Sequence, residues 1–185
     1  IVQKHSELVE LKTGAGLFEE GELQRGLYLI SSGLLGAMAR TAEGKRRFLY
    51  PAFHGTCFSP FPTGRNRAFV SVMALSTSYV YFMRHETFTQ LATSDPRFFD
   101  MVGDVVNRTF GLLQARIVAG SVEPASERIR AFIQLQDAFQ PFLGPDSELL
   151  IEDRVSQGLL AEMAGVSRPY FNQQLKAIRA AQKKR

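Results

Sequence analysis

The sequence predicts an α+β fold: an antiparallel β sandwich or barrel, then a long helix, then a helix-turn-helix. Three observations carry that prediction. From Val2 to about Arg84 the chain is a series of short apolar runs cut by glycines. From Pro96 onward, apolar residues recur at spacings of three and four. From Gln157, two amphipathic stretches flank Gly165. Composition agrees: 45% hydrophobic and 22% charged residues in a chain of 185 is a globular balance, and excludes disordered, collagen-like and low-complexity classes. No apolar run approaches the roughly 20 residues of a membrane-spanning helix, so no membrane partner is expected. Ile1 to Glu10 mixes charged and apolar residues and does not read as a signal peptide. The single cysteine, Cys57, leaves no disulfide framework, cysteine-ligated cluster or cysteine-rich zinc site. A reducing compartment fits, and we expect the cytoplasm.

In the β unit, Leu27-Tyr28-Leu29-Ile30, Leu34 to Met38, Arg47 to Tyr50, Ala68 to Met73 and Ser78 to Met83 are strand-length. They are rich in the aromatic and β-branched residues that suit a pleated, half-buried surface. Turns at roughly ten-residue spacing fit an antiparallel sandwich or barrel. Thr41-Ala42-Glu43-Gly44 reads as a hairpin turn, with Gly44 supplying the positive φ that a β-carbon disfavours.

Asp95-Pro96 opens the long helix, and Pro96 stands in the first turn, where its missing N–H costs nothing. Phe99, Val102, Val106, Phe110, Leu113 and Ile117 form one apolar stripe. Phe98, Met101, Val105, Leu112 and Val118 carry apolar surface further round. A helix apolar on two sides must be covered on two sides. One cover is the β unit; the other is expected to be a second copy of the same helix, with a core helix inside one chain as the plain alternative. The seam of that homodimer is assigned to Phe98, Val102, Val105, Thr109, Leu112 and Arg116. Glu123-Pro124 ends the helix, and Ser126 to Phe139 reads as another, with Ile129, Phe132, Ile133 and Leu135 apolar. Gln140 to Asp146 reads as a loop, and Leu149-Leu150-Ile151 as a short strand or turn. The domains are then an effector-binding β unit 1–94, a dimerisation helix 95–122 and a helix-turn-helix unit 123–185.

Gln157 to Ala164 is a short amphipathic helix with Leu159, Leu160 and Met163 inward. Gly165 suits the left-handed position that ends a helix, and Ser167 is a good N-cap for the next one. That second helix, Arg168 to about Gln182, turns Phe171, Leu175 and Ile178 inward. The arrangement lets the second helix enter a DNA major groove. Its outer face carries Arg168, Asn172, Gln173, Lys176 and Arg179. Arg reads guanine, Asn and Gln read adenine, and Lys and Arg neutralise phosphates. Charge supports this reading: of the net +4, the stretch Val155 to Arg185 holds +5, with Glu162 its only acid. A solvated polar face is the plain alternative for these residues.

The order of parts, with Glu20-Gly21-Glu22, Leu27 to Gly33, Glu43-Gly44-Lys45, Gly55 and Gly165-Val166-Ser167-Arg168, resembles the CRP/FNR superfamily of bacterial transcription regulators over nearly the whole chain. The resemblance implies that the β unit is a cyclic-nucleotide-binding-type β-roll. It implies a homodimer, palindromic duplex DNA as partner, and RNA polymerase as a further one. Members that bind cyclic AMP carry a Gly-Glu pair for the ribose and an Arg-Ser or Arg-Thr pair for the phosphate. Gly55 to Ala68 contains no Glu, and neither Arg65 nor Arg67 is followed by Ser or Thr. Cyclic AMP is therefore not the expected effector. Pro62-Thr63-Gly64 with Asn66 is similar to the chlorophenol-sensing halorespiration regulators of the superfamily. That likeness implies an aromatic or anionic small molecule held by Phe58, Phe61, Arg65, Arg67, Phe110, Leu113 and Gln114. The family's base-reading positions fall on Arg168, Pro169, Asn172 and Gln173, next to Ser167, Lys176 and Arg179. Pro169 stands where many members have a cytosine-reading Glu, so the operator should depart from the usual half-site. The family's wing follows this helix, so we expect a wing beyond Arg185 and a lead before Ile1.

Other classes are weaker. A cupin-like metalloenzyme needs clustered histidines, and His5, His54 and His85 show no such spacing. Iron–sulfur sensing needs several cysteines, and haem needs a Cys-His register that His54 and Cys57 do not provide. No enzyme activity, metal or cofactor is expected. A second reading is a ligand module that signals through protein contacts and never touches DNA.

Overall fold

The computed structural model describes residues 1–59, 61, 65–139 and 155–182. The expected loop at Gln140 to Asp146, the turn at Leu149 to Ile151 and the Pro62-Thr63-Gly64 likeness lie outside them.

The apolar runs of the first half form two four-stranded antiparallel sheets. One is ordered β1 (Glu7–Leu11), β8 (Ser78–Arg84), β3 (Gly26–Ser32), β6 (Cys57–Phe58). The other is ordered β2 (Gly16–Phe18), β7 (Ser71–Ala74), β4 (Leu34–Arg40), β5 (Arg46–Phe53). Ile30, Leu35, Ala37, Val72 and Val80 are buried between the sheets, with Phe18 and Phe58. Each aliphatic side chain so buried contributes about 1.5–3 kcal/mol. The β4–β5 hairpin closes at Gly44, whose φ is +77°, while the Thr41 amide donates to the Lys45 carbonyl at 2.9 Å. The expected β-roll is thus present. The run Ala68 to Met73 becomes strand only at Ser71.

Two features of the β4–β5 pair matter below. β5 is an edge strand. Its register with β4 passes from Tyr50 opposite Ala37 to Phe48 opposite Met38, so Leu49 faces no residue. This bulge re-aims the Leu49 carbonyl.

Short α1 (Val2–His5) precedes β1, and α2 (His85–Ser94) follows β8. α3 runs Pro96–Gly120. Asp95 caps it, with Oδ1 accepting from the Arg97 amide at 3.0 Å and Pro96 in the first turn. Its N-terminal half packs Phe98 and Val102 against Leu27, Cys57, Met83 and Phe88. Its C-terminal half packs Leu112 and Ala119 into a second cluster that joins Phe48 and Phe53 of β5 to the later helices.

Those helices are α4 (Ala125–Phe139), α5 (Gln157–Met163) and α6 (Arg168–Gln182). Ile129 and Phe132 of α4, Leu160 and Met163 of α5, and Phe171, Leu175 and Ile178 of α6 share that cluster. Gly165 ends α5 with φ +66°, and the Val166 amide donates back to the Ala161 carbonyl at 3.0 Å. This is the left-handed helix ending expected of that glycine.

The structure reverses the faces assigned to α3. Phe98, Val102 and Leu112 are 0%, 2% and 4% exposed in the single chain. Val105 packs beside Cys57, Thr109 bonds to the Cys57 amide, and Arg116 bonds to the Leu49 carbonyl. All six residues assigned to a dimer seam therefore serve the chain's own β-roll. Periodicity identifies two apolar stripes but not which one the β unit covers. The stripe left open holds Phe99, Phe110 and Ile117. No helix among the described residues is long and apolar enough to cross a membrane.

Candidate effector cavity and nucleic-acid interface

At the open end of the β-roll lies a cavity of about 340 Å³. β2, β5 and β6 supply Phe18, Tyr50 and Phe58, and the connection to β7 supplies Phe61 and Phe69. Gln24, Ser59, Asn66 and Arg67 add polar groups, and among the described residues no carboxylate lines the wall. Phe58 meets Phe18 edge-on with ring centroids 5.7 Å apart, and stacks on Tyr50 at 6.4 Å. Burial, and to a lesser extent Cys57, pushes the Tyr50 phenol up to about 12, so this wall is neutral. Arg67 is exposed, and its Nη1 donates to the Gly21 carbonyl at 2.8 Å.

Of the residues expected here, Phe58, Phe61 and Arg67 line the cavity, and Arg65 does not. Phe110, Leu113 and Gln114 do not line it either. The reason is the reversal of α3, which turns these three away from the chain's own β-roll. Gln24, Tyr50 and Phe69 escaped the sequence reading. Strand alternation across β5 carries a signal for Tyr50; Gln24 and Phe69 sit on irregular segments with none.

Cys57 lies on β6 behind this wall. Its amide donates to Thr109 Oγ1 at 3.1 Å, and that hydroxyl donates onward to the Val105 carbonyl at 2.8 Å. Burial pushes the thiol up to about 11, partly offset by its hydrogen bond with Thr109. The reactive thiolate is therefore scarce at neutral pH. The folded thiol is raised above its ordinary value of 9.0, so its contribution to stability is full below that value and is lost as pH rises through about 11. Two outcomes follow. Iodoacetamide labels Cys57 of the folded chain far more slowly than a free thiol, read by mass spectrometry. The melting temperature falls across this pH window, and Cys57→Ala removes part of the fall.

A polar joint connects β5 to the C-terminal helices. Glu162 of α5 accepts from the Phe48 amide at 3.1 Å, with Arg47 at 3.9 Å from the same carboxylate. Arg116 of α3 donates from Nε to the Leu49 carbonyl at 2.9 Å and from Nη2 to the Met163 carbonyl at 3.1 Å. Its guanidinium lies 5.4 Å from the centre of the Phe132 ring. Arg128 donates to the Ala164 carbonyl at 2.9 Å, satisfying the end of α5. The strand that presents Tyr50 to the cavity is thus tied to α5 through the two residues before it, Phe48 directly and Leu49 by way of Arg116.

α6 follows α5 after the Gly165 turn. Ser167 is exposed and its Oγ accepts from the Tyr170 amide at 3.4 Å. Arg168, Pro169, Gln173, Lys176 and Arg179 are exposed on α6. Asn172 is half-buried, with Oδ1 sealed from solvent and without a hydrogen-bond donor. The structure therefore gathers six of the seven residues expected at DNA on open surface and turns the Asn172 oxygen inward.

Residues 8–95 match the family model of the cyclic nucleotide-binding domain. No curated protein sequence matches the chain. Among solved structures, FixK2 from Bradyrhizobium japonicum is similar at 12% identity with a TM-score of 0.74, covering 96% of this chain and 86% of that one. A CRP-family transcriptional regulator from Thermus thermophilus is similar at 16% identity and TM-score 0.70, covering 94% and 85%. The chain has the CRP/FNR fold. The c-di-GMP-responsive global regulator CLP of Xanthomonas campestris is similar at 18% identity and TM-score 0.70, covering 97% and 89%. Among the described residues, no group of three or more His, Cys, Asp or Glu is placed to hold a metal ion.

Proposed function

We infer that the chain is a homodimeric, ligand-responsive transcription regulator acting in the cytoplasm. In this reading, 1–94 binds a small effector, 95–122 pairs two copies, and 123–185 is a helix-turn-helix that binds palindromic duplex DNA. RNA polymerase is a further partner. The observation that supports it best is the open face of α6, where Arg168, Gln173, Lys176 and Arg179 stand on a helix that follows a glycine turn. The seam of the dimer runs through Phe99, Phe110 and Ile117, the stripe of α3 that one chain leaves open. Aromatic walls without a carboxylate favour an aromatic effector over cyclic AMP. Effector and operator are coupled reciprocally, so each tightens or weakens the other by the same factor.

The test is binding to duplex DNA as salt is varied. Log affinity should fall linearly with log salt, by about 0.9 per phosphate neutralised. Lys176→Ala should lower that slope by about one contact. Arg168→Ala should cost about 1–3 kcal/mol of discrimination at one base pair once an operator is selected. Absence of salt-dependent DNA binding would leave the ligand module that signals through protein contacts as the better reading.

A further inference from the structure

We propose that Pro169 reads thymine: its ring meets the C5-methyl group of one T·A pair in each half-site of the duplex. This rests on α6 being the helix that enters DNA.

Placement comes first. Pro169 is the second residue of α6 and is exposed. At about 3.6 residues per turn, Pro169 and Gln173 lie nearly opposite the buried stripe of Phe171, Leu175 and Ile178. Arg168, Lys176 and Arg179 gather to one side of that line. A helix seated by its core stripe therefore turns Pro169 and Gln173 toward the floor of a groove, and its cations toward one phosphate wall. The N-terminal residues of such a helix are those that reach base edges. Tyr170, next along, packs against the C-terminal core and fixes the start of the helix.

The chemistry of the first turn decides what Pro169 can touch. A helix start usually offers several free N–H groups to a phosphate. Here Pro169 has none. The Tyr170 amide donates to Ser167 Oγ at 3.4 Å, and the Phe171 amide to the Ser167 carbonyl at 2.9 Å. What remains at Pro169 is an exposed apolar ring with neither donor nor acceptor. Against guanine, adenine or cytosine, that ring would strip water from base-edge donors and acceptors and leave them unpaired. Thymine presents a methyl group instead, the apolar patch of the major groove. Gln173, one turn on along the same line, carries the amide that suits adenine.

The test begins with an operator selected by the full chain from random duplexes. Each thymine is then changed in turn to deoxyuridine, which lacks only the methyl group. Affinity is read by fluorescence anisotropy at fixed salt. One thymine in each half-site should be sensitive, with a loss of about fourfold, the worth of one buried methyl. At that position 5-methylcytosine should bind about fourfold tighter than cytosine, because the methyl returns while the rest of the pair is unchanged. In Pro169→Gly both ratios should fall to about one. Each ratio compares two duplexes on one protein, so a uniform weakening of the variant cancels, and the first two comparisons use the unaltered chain. The proposal is overturned if no single thymine is sensitive, or if 5-methylcytosine gains nothing over cytosine; Pro169 then serves only to start the helix. It is also overturned if the ratios persist in Pro169→Gly, because another side chain then meets the methyl. A chain that selects no duplex fails the reading of α6 itself and this proposal with it, an outcome seen before any base is changed.

Discussion

Replacing Phe110 by aspartate separates two copies of the chain without unfolding either. Phe99, Phe110 and Ile117 are 56%, 59% and 68% exposed on α3. With Gly103, Val106 and Leu113 between them, they follow spacings of four and three along six positions. That is the pattern of a helix seam, in which each apolar residue enters a gap on the facing helix. Three large exposed apolar groups on one stripe are too many to leave in water. At a two-fold seam, Phe110→Asp removes one ring from each copy and sets like charges near each other in a desolvated centre. The expected cost is about 3 kcal/mol or more, over a hundredfold in the dimer dissociation constant. Operator affinity falls with it, because two half-sites need two recognition helices held together. In the monomer the change is at an exposed site and costs no more than about 1 kcal/mol, chiefly helix propensity. Leu112→Asp, two residues on, is the contrasting case: it buries a charge in the chain's own core and destabilises the fold itself by about 3–5 kcal/mol. Sedimentation velocity and thermal melting on both variants separate the outcomes. If Phe110→Asp stays dimeric while folded, the seam lies elsewhere.

The contrast also marks how far the sequence could be read. Period and punctuation were legible where local chemistry decides the backbone. Asp95-Pro96 opens α3, Gly44 closes the hairpin, and Gly165 ends α5, because each requirement is met within a few residues. The inward residues of α6, Phe171, Leu175 and Ile178, follow from spacing alone. Elements held by long-range partners were not legible. β6 is two residues long and exists only through its pairing with β3. α2 buries one large residue, Phe88, and so shows little period. The α3 faces failed for the same reason: both stripes are apolar, and the choice depends on which one meets Leu27 and Met83, residues of β3 and β8 that no local pattern links to α3. In the cavity, the aromatic Phe58 and Phe61 could be found from their place near Gly55. Gln24 could not, because it lies on an irregular segment and reaches the wall only through long-range packing.

Arg116 gives the second large effect, and it divides the two readings of α3 from another side. Had Arg116 belonged to a dimer seam, Arg116→Ala would weaken association and leave the single chain untouched. In the structure its guanidinium ties the Leu49 carbonyl of β5 to the Met163 carbonyl of α5, and lies over Phe132. Burial lowers the pKa of this guanidinium, but arginine still remains charged at neutral pH. Its two bonds are therefore charge-assisted, and alanine leaves both carbonyls to find water in a half-closed joint. We expect Arg116→Ala to destabilise the chain by about 2–4 kcal/mol in urea unfolding, with dimerisation of the folded fraction unchanged. Lysine restores charge but reaches one carbonyl in place of two, so Arg116→Lys should recover about half of the loss. Glu162→Ala acts on the adjacent bond, freeing the Phe48 amide that now donates at 3.1 Å. Hydrogen exchange at that amide should accelerate, while the Gln24 amide, bonded to the Asn66 carbonyl, keeps its protection. A loss below about 0.5 kcal/mol for Arg116→Ala would mean that α5 is held to β5 by apolar packing alone. The bulge at Leu49 would then have no role in joining the strand that bears Tyr50 to the helices that bear Arg168.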